Sequence, residues 1–135
     1  MRLLALDIGT KRVGVAFCET SIGIVFAREV IVVKNEKDII NNVKEIVLRD
    51  KIDKVIVGLP LNFNSTKSHI QSYVENIAAK IKKEIGVDVE LFDERFTTKI
   101  ATQIGSKNID SLSAKILLED YINLTKNKHL MEDNF

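Results

Sequence analysis

The sequence predicts a single α/β domain built on a mixed five-stranded sheet with helices on both faces, and three observations carry that prediction. Short apolar runs in the first third of the chain read as strands. Two later stretches place apolar residues at three- and four-residue steps, the spacing of amphipathic helices. Strands and helices then alternate, the arrangement that layers helices over a sheet. At 135 residues the chain has the size of one domain, and with one proline, Pro60, and no repeat it offers no linker. The domain is expected to span 1–135, with a flexible tail from about residue 126.

Arg2 to Asp7 is a nearly continuous apolar run, the pattern of a strand covered on both faces. Ile8 to Arg12 is turn material, and Val13 to Phe17 resumes an extended pattern, so the two form a hairpin. A third strand lies within Ile24 to Val33. After Asn35, a candidate N-cap, Ile39, Ile40, Val43, Ile46 and Val47 mark a helix. Lys54 to Gly58 is the fourth strand. A longer helix from about Ser65 to Ile85 carries Ile70, Val74, Ile77, Ala78 and Ile81 and stops at Gly86. Val87 to Phe92 is the fifth strand; Thr97 or Thr98 can cap a short helix, and Asp110 or Ser111 a last one. This order resembles the ribonuclease-H-like fold, whose strands lie 3-2-1-4-5 with the first and fourth as parallel central neighbours.

Composition is ordinary for a globular chain, with 45% hydrophobic and 29% charged residues. The single cysteine, Cys18, cannot form an intrachain disulfide, which suits a reducing cytoplasm. No apolar run is long enough for a membrane segment, so no membrane partner is expected. The net charge of +1, from 20 basic and 19 acidic residues, gives no support by itself to a nucleic-acid partner.

Chemistry is expected where carboxylates close strands. Asp7 ends the first strand, and sites in open α/β sheets gather at the carboxyl ends of central strands. An Asx-turn onto Gly9 or Thr10 would explain Asp7 equally well. Asp93 and Glu94 end the fifth strand; alternation sends only one of them toward Asp7, and pattern alone does not choose. Asp110 starts the last helix, where it can serve as an ordinary cap or point at the strand ends. Several carboxylates converging from separate elements suit Mg²⁺ or Mn²⁺, and two such ions, roughly 3.5–4 Å apart, can activate a water and stabilise the leaving oxygen in phosphodiester cleavage. His69 and His129 lie outside these segments, so zinc is not expected, and Cys18 has no partner that would make it a nucleophile. Lys11, Arg12, Arg95 and Lys99 flank the carboxylates and can contact a phosphate backbone. Lys80, Lys82 and Lys83 also cluster, as on any solvated helix face. Neither a P-loop nor a dinucleotide-binding glycine pattern is present.

Four blocks in order, Leu6 to Ala16, Val57 to Asn62, Asp93 to Thr98, and Ile109 to Ser111, resemble the YqgF/RuvX family. Its members are described as Holliday junction resolvase-like proteins and as pre-16S ribosomal RNA nucleases. The resemblance implies a nuclease that matures the 5′ end of small-subunit ribosomal RNA. It implies that Asp7, Glu94 and Asp110 hold the metal, with Asp93 as the substitute for Glu94. Arg95 and Thr98 would contact substrate or hold the loop. Two segments depart from the family pattern: Phe63 to Thr66 replaces an Asp-Gly turn, and Ser106 to Asn108 replaces a Lys-Gly-Lys-like approach to Asp110. Both touch on substrate preference.

Three functions follow as expectations: cleavage of precursor ribosomal RNA, resolution of branched DNA by a dimer, and non-catalytic RNA binding on the maturing small subunit. The chain is expected to be a monomer or weak homodimer. Asp7 with Gly9 and Thr10 also resembles the first phosphate loop of actin-like kinases, but those proteins need two such domains and this chain supplies one.

Overall fold

A computed structural model describes residues 1–60, 69–93 and 109–133, the side chains of 109–111 and 127–133 excepted. Strands β1 (Arg2–Ile8) and β2 (Arg12–Glu19) form the hairpin, joined by a turn in which the Gly9 amide donates to the Arg12 carbonyl at 2.8 Å. A Cβ on Gly9 would stand 2.8 Å from that carbonyl oxygen, so the turn closes only around glycine.

The third strand is divided. β3 (Val25–Ala27) and β4 (Ile31–Val32) both pair with β2, antiparallel. Ala27 faces Ala16 and Ile31 faces Val13, so four steps along one strand match three along the other. That single extra residue is a β-bulge, held by the Arg28 amide donating to the Val15 carbonyl at 2.7 Å. The sheet therefore has six strands where five were expected, in the order β3-β2-β1-β5-β6, with β4 continuing the β3 side of β2. With the divided strand taken as one, the order is the expected 3-2-1-4-5.

Helix α1 (Glu36–Asp50) begins at Asn35, whose side chain accepts from the Asp38 amide while Asp38 accepts from the Asn35 amide, a reciprocal capping box. Strand β5 (Lys54–Leu59) lies parallel to β1, and β6 (Asp88–Asp93) parallel to β5. Between them runs α2 (His69–Ile85), which ends where Gly86 takes a φ of 79° and its amide caps the Lys82 carbonyl. The last helix, α3 (Ile109–Asp133), extends along the opposite face. Asp110 lies within its first turn. The start of the second helix from Ser65 and the short helix at Thr97 or Thr98 lie outside the described residues.

The alternation of side chains divides the core into two layers. Leu4, Leu6, Val13, Val15, Val55 and Val57 point to α1 and α2, where Ile39, Val43, Ile77 and Ile81 bury against them. Leu3, Ala5, Ala16, Cys18 and Ile56 point the other way and meet Ala114, Leu117 and Leu118 of α3. Among the described residues, no helix is long and apolar enough to cross a membrane.

Candidate functional site

Asp7 shares its parity with Leu3 and Ala5, so its side chain belongs to the face covered by α3. It is half-buried, one residue before the carboxyl end of β1. Its register partner on β2 is Gly14, itself buried. On the other flank the β1–β5 ladder runs to Leu6 opposite Val57, and the next residue of β5 is the buried Gly58. Asp7 thus has a side chain on its face where both neighbouring strands have only glycine. The turn length sets this: six residues lie between Asp7 and Gly14 across a hairpin whose register is fixed by Gly9. Both glycines were visible in the sequence, but their place beside Asp7 needed the register.

Helix α3 runs antiparallel to β1. Tyr121 and Ile122 line a cavity together with Met1, Leu3 and Lys54, at the amino ends of β1 and β5. Ala114 and Leu118, further toward the helix start, pack in the layer of Ala5 and Ala16. From Ile122 back to Asp110 the helix rises about 18 Å, while Leu3 to Asp7 spans about 13 Å of strand. The first turn of α3 therefore lies at the end of the sheet where Asp7 is. The side chain of Asp110 is outside the description.

β6 sets the face of Asp93. Phe92 packs on the α3 side, its ring meeting Tyr121, while Val89 packs with the α1 and α2 layer. Asp93 has the parity of Val89, so strand alternation sets it, exposed, on the face away from Asp7. Glu94, Arg95, Thr98 and Lys99 lie outside the described residues. Lys11 and Arg12 are exposed at the hairpin turn, on the same rim of the sheet as Asp7. His69 is exposed at the first residue of α2. Cys18 is buried in the α3 layer, and burial pushes its thiol pKa up, which keeps it protonated and unreactive. Among the described residues, no three His, Cys, Asp or Glu side chains gather closely enough to hold a metal ion.

The family model described as RuvX, Holliday junction resolvase, matches residues 1–124. A Thermus thermophilus protein named "Putative pre-16S rRNA nuclease" is 33% identical over 132 residues, covering 90% of this chain and 97% of its own length. A Buchnera aphidicola protein of the same name is 35% identical over 137 residues, covering 94% and 100%. Among solved structures, Thermus thermophilus RuvC in complex with Holliday junction substrate superposes with a TM-score of 0.60 at 15% identity, covering 93% of this chain and 96% of that one. Fowlpox virus resolvase with substrate Holliday junction DNA gives 0.57 at 16%, covering 93% and 99%. At such identities the likeness is one of fold, and the fold is ribonuclease-H-like.

Proposed function

The chain belongs to the RuvX family, and from that membership we propose that it is a divalent-metal-dependent nuclease that trims the 5′ end of precursor small-subunit ribosomal RNA. The observation that carries this reading is Asp7, a half-buried carboxylate on the α3 face at the end where α3 begins. The names of the relatives supply the substrate class.

The donor set fits a hard cation. Asp7, Glu94 and Asp110 would hold Mg²⁺ or Mn²⁺ through carboxylate oxygens, and among the described residues the face around Asp7 carries no histidine or free thiolate to favour a softer metal. Bound there, the ions would supply an activated water and offset charge on the leaving oxygen. Glu94 is preferred to Asp93 because alternation turns Asp93 to the opposite face. Lys11, Arg12, Arg95 and Thr98 would position the phosphate backbone, contributing orientation without reading bases. The first turn of α3 brings the positive end of its dipole to the same place, which favours a phosphate. The reading includes action in the cytoplasm, on RNA in the maturing small subunit, as a monomer or weak homodimer.

The experiment is cleavage of a precursor small-subunit RNA fragment by purified protein with Mg²⁺ or Mn²⁺, beside Asp7→Asn. Cutting by the wild type and none by the variant is expected; equal activity in both would sink the site. A second reading, resolution of branched DNA, draws on the family description and on the junction-bound structures of the same fold. Symmetric nicking of a synthetic four-way junction by a dimer would favour it. Binding to small-subunit particles without cleavage by either assay would favour an assembly factor.

A further inference from the structure

The hairpin turn beside Asp7 does not stand alone on its rim of the sheet. The Val33 amide donates to the Lys11 carbonyl at 2.9 Å, and Arg12 is the register partner of Val32. The turn from β4 into α1 is thereby fastened to the turn from β1 into β2. Lys34 is exposed on that second turn and Lys37 in the first turn of α1, as Lys11 and Arg12 are at the first turn.

None of these four cations makes an ion pair with another described residue. Arg2, Arg28, Arg49, Lys54 and Lys80 are paired, while Lys82, Lys83 and Lys126, exposed and also without an ion pair to a described residue, lie at the amino ends of the strands. The acids that could neutralise Lys34 and Lys37 are engaged elsewhere. Glu36 pairs with Lys80 of α2, and one Asp38 oxygen accepts the amides of Lys34 at 3.1 Å and Asn35 at 3.3 Å. The backbone thus holds Asp38 as a cap while the ammonium groups beside it face water. Lys44 and Lys51 are exposed too, but they follow α1 away toward the amino ends of the strands.

We propose that Lys34 and Lys37 form a second phosphate-contact site, which grips the backbone of a nucleic-acid duplex flanking the cleavage point. The proposal rests on the nuclease reading and extends it to the substrate's shape. Two strand spacings across and four residues along the sheet set Lys34 about 16 Å from Asp7, Cα to Cα. At 3.4 Å per step on one strand, that is roughly five base pairs from the cut. The track starts on the α3 face at Asp7, turns over the rim at Lys11 and Arg12 and ends at the start of α1, which covers the other face, so the substrate bears a helical arm that leaves across that rim. The recognised chemistry is the phosphate backbone, which RNA and DNA duplexes share.

The test is equilibrium binding by fluorescence anisotropy, with labelled duplex RNA and duplex DNA, in EDTA so that nothing is cut, over a series of salt concentrations. Lys34→Ala/Lys37→Ala is compared with wild type and with Lys83→Ala/Lys126→Ala, which removes equal charge at the other end of the strands. Loss of two phosphate contacts lowers the slope of log K against log salt by about 1.8 for a B-form DNA duplex. The expected result is that drop with weaker binding in the first variant and an unchanged slope in the second, all three proteins sharing one melting temperature. A response to one polymer alone supports the proposal and identifies the arm. An unchanged slope in Lys34→Ala/Lys37→Ala, with wild type still binding and cutting, overturns the second site and leaves the nuclease standing. Failure of the wild type to bind either duplex or to cut overturns both.

Discussion

Phe92 and Tyr121 meet edge to face, their ring centroids 5.5 Å apart and their planes at 90°. Phe92 sits one residue before the end of β6, and Tyr121 midway along α3, so the contact ties the helix to the strand that leads into the acidic pair. The Lys54 ammonium lies 5.6 Å from the centre of the Tyr121 ring and pairs with Glu90 on the same face. Tyr121→Ala should cost about 2–3 kcal/mol, less than a fully buried aromatic. It should also reduce cleavage more than Tyr121→Phe does, since phenylalanine keeps the ring against Phe92 and loses only the hydroxyl's hydrogen bond with Lys54. Urea melts and single-turnover rates would check both.

Asp93 and Glu94 should separate sharply. Asp93 shares the strand parity of Val89, which packs on the α1 and α2 side, so Asp93→Asn is expected to retain most activity. Glu94→Gln is expected to lose at least about 100-fold, more than disturbing a ligand's outer hydrogen bonds costs. Metal affinity measured by calorimetry should follow the same order. Equal losses in both variants would count against the alternation argument.

The capping box at Asn35 carries a local energy. Asn35→Ala removes the acceptor of the Asp38 amide and should cost about 1 kcal/mol. Asp38→Ala frees the Lys34 and Asn35 amides together and should cost at least as much. Thermal melts of the two variants and the pair would show whether the box acts as a unit, with the double variant less damaging than the sum.

Glu19 sets an acid limit. Its pKa is lowered to about 2, first by the Ser21 amide and then by the chain's amino group, against an ordinary value near 4.5. A folded pKa below the unfolded one gives stability that is present above about 4.5 and lost as pH falls toward about 2. Glu19→Gln should therefore flatten the dependence of melting temperature on pH within that window and leave the slope above pH 5 unchanged.

Much of this architecture was legible because the pattern and the physics agree. Apolar runs ending at Asp7 and Gly58 are buried on both faces, and the 3.6-residue repeat from Ile39 to Val47 is buried on one. The division of the third strand was not legible. Arg28 to Val30 contains neither glycine nor proline, and the extra residue is declared by the register against β2 and by the Arg28 amide bonding to Val15. The face that Asp93 takes was hidden for a different reason. Val89, Leu91 and Phe92 are all apolar, so β6 reads equally well with either face inward until Phe92 is found against α3. Asp7 was legible as a candidate, but its place between Gly14 and Gly58 depends on register across two ladders.

Ala5 and Ala16 are register partners, and with Ala114 they form the fully buried contact between sheet and α3 nearest to Asp7. Three methyl groups therefore set the height at which the helix rides over the strands. A larger side chain at any of them would act as a wedge, lifting the first turn of α3 from the sheet without touching a single charged group. Spacing between the acidic elements is in this sense a property of the smallest residues in the core, and variation there would retune the site from beneath.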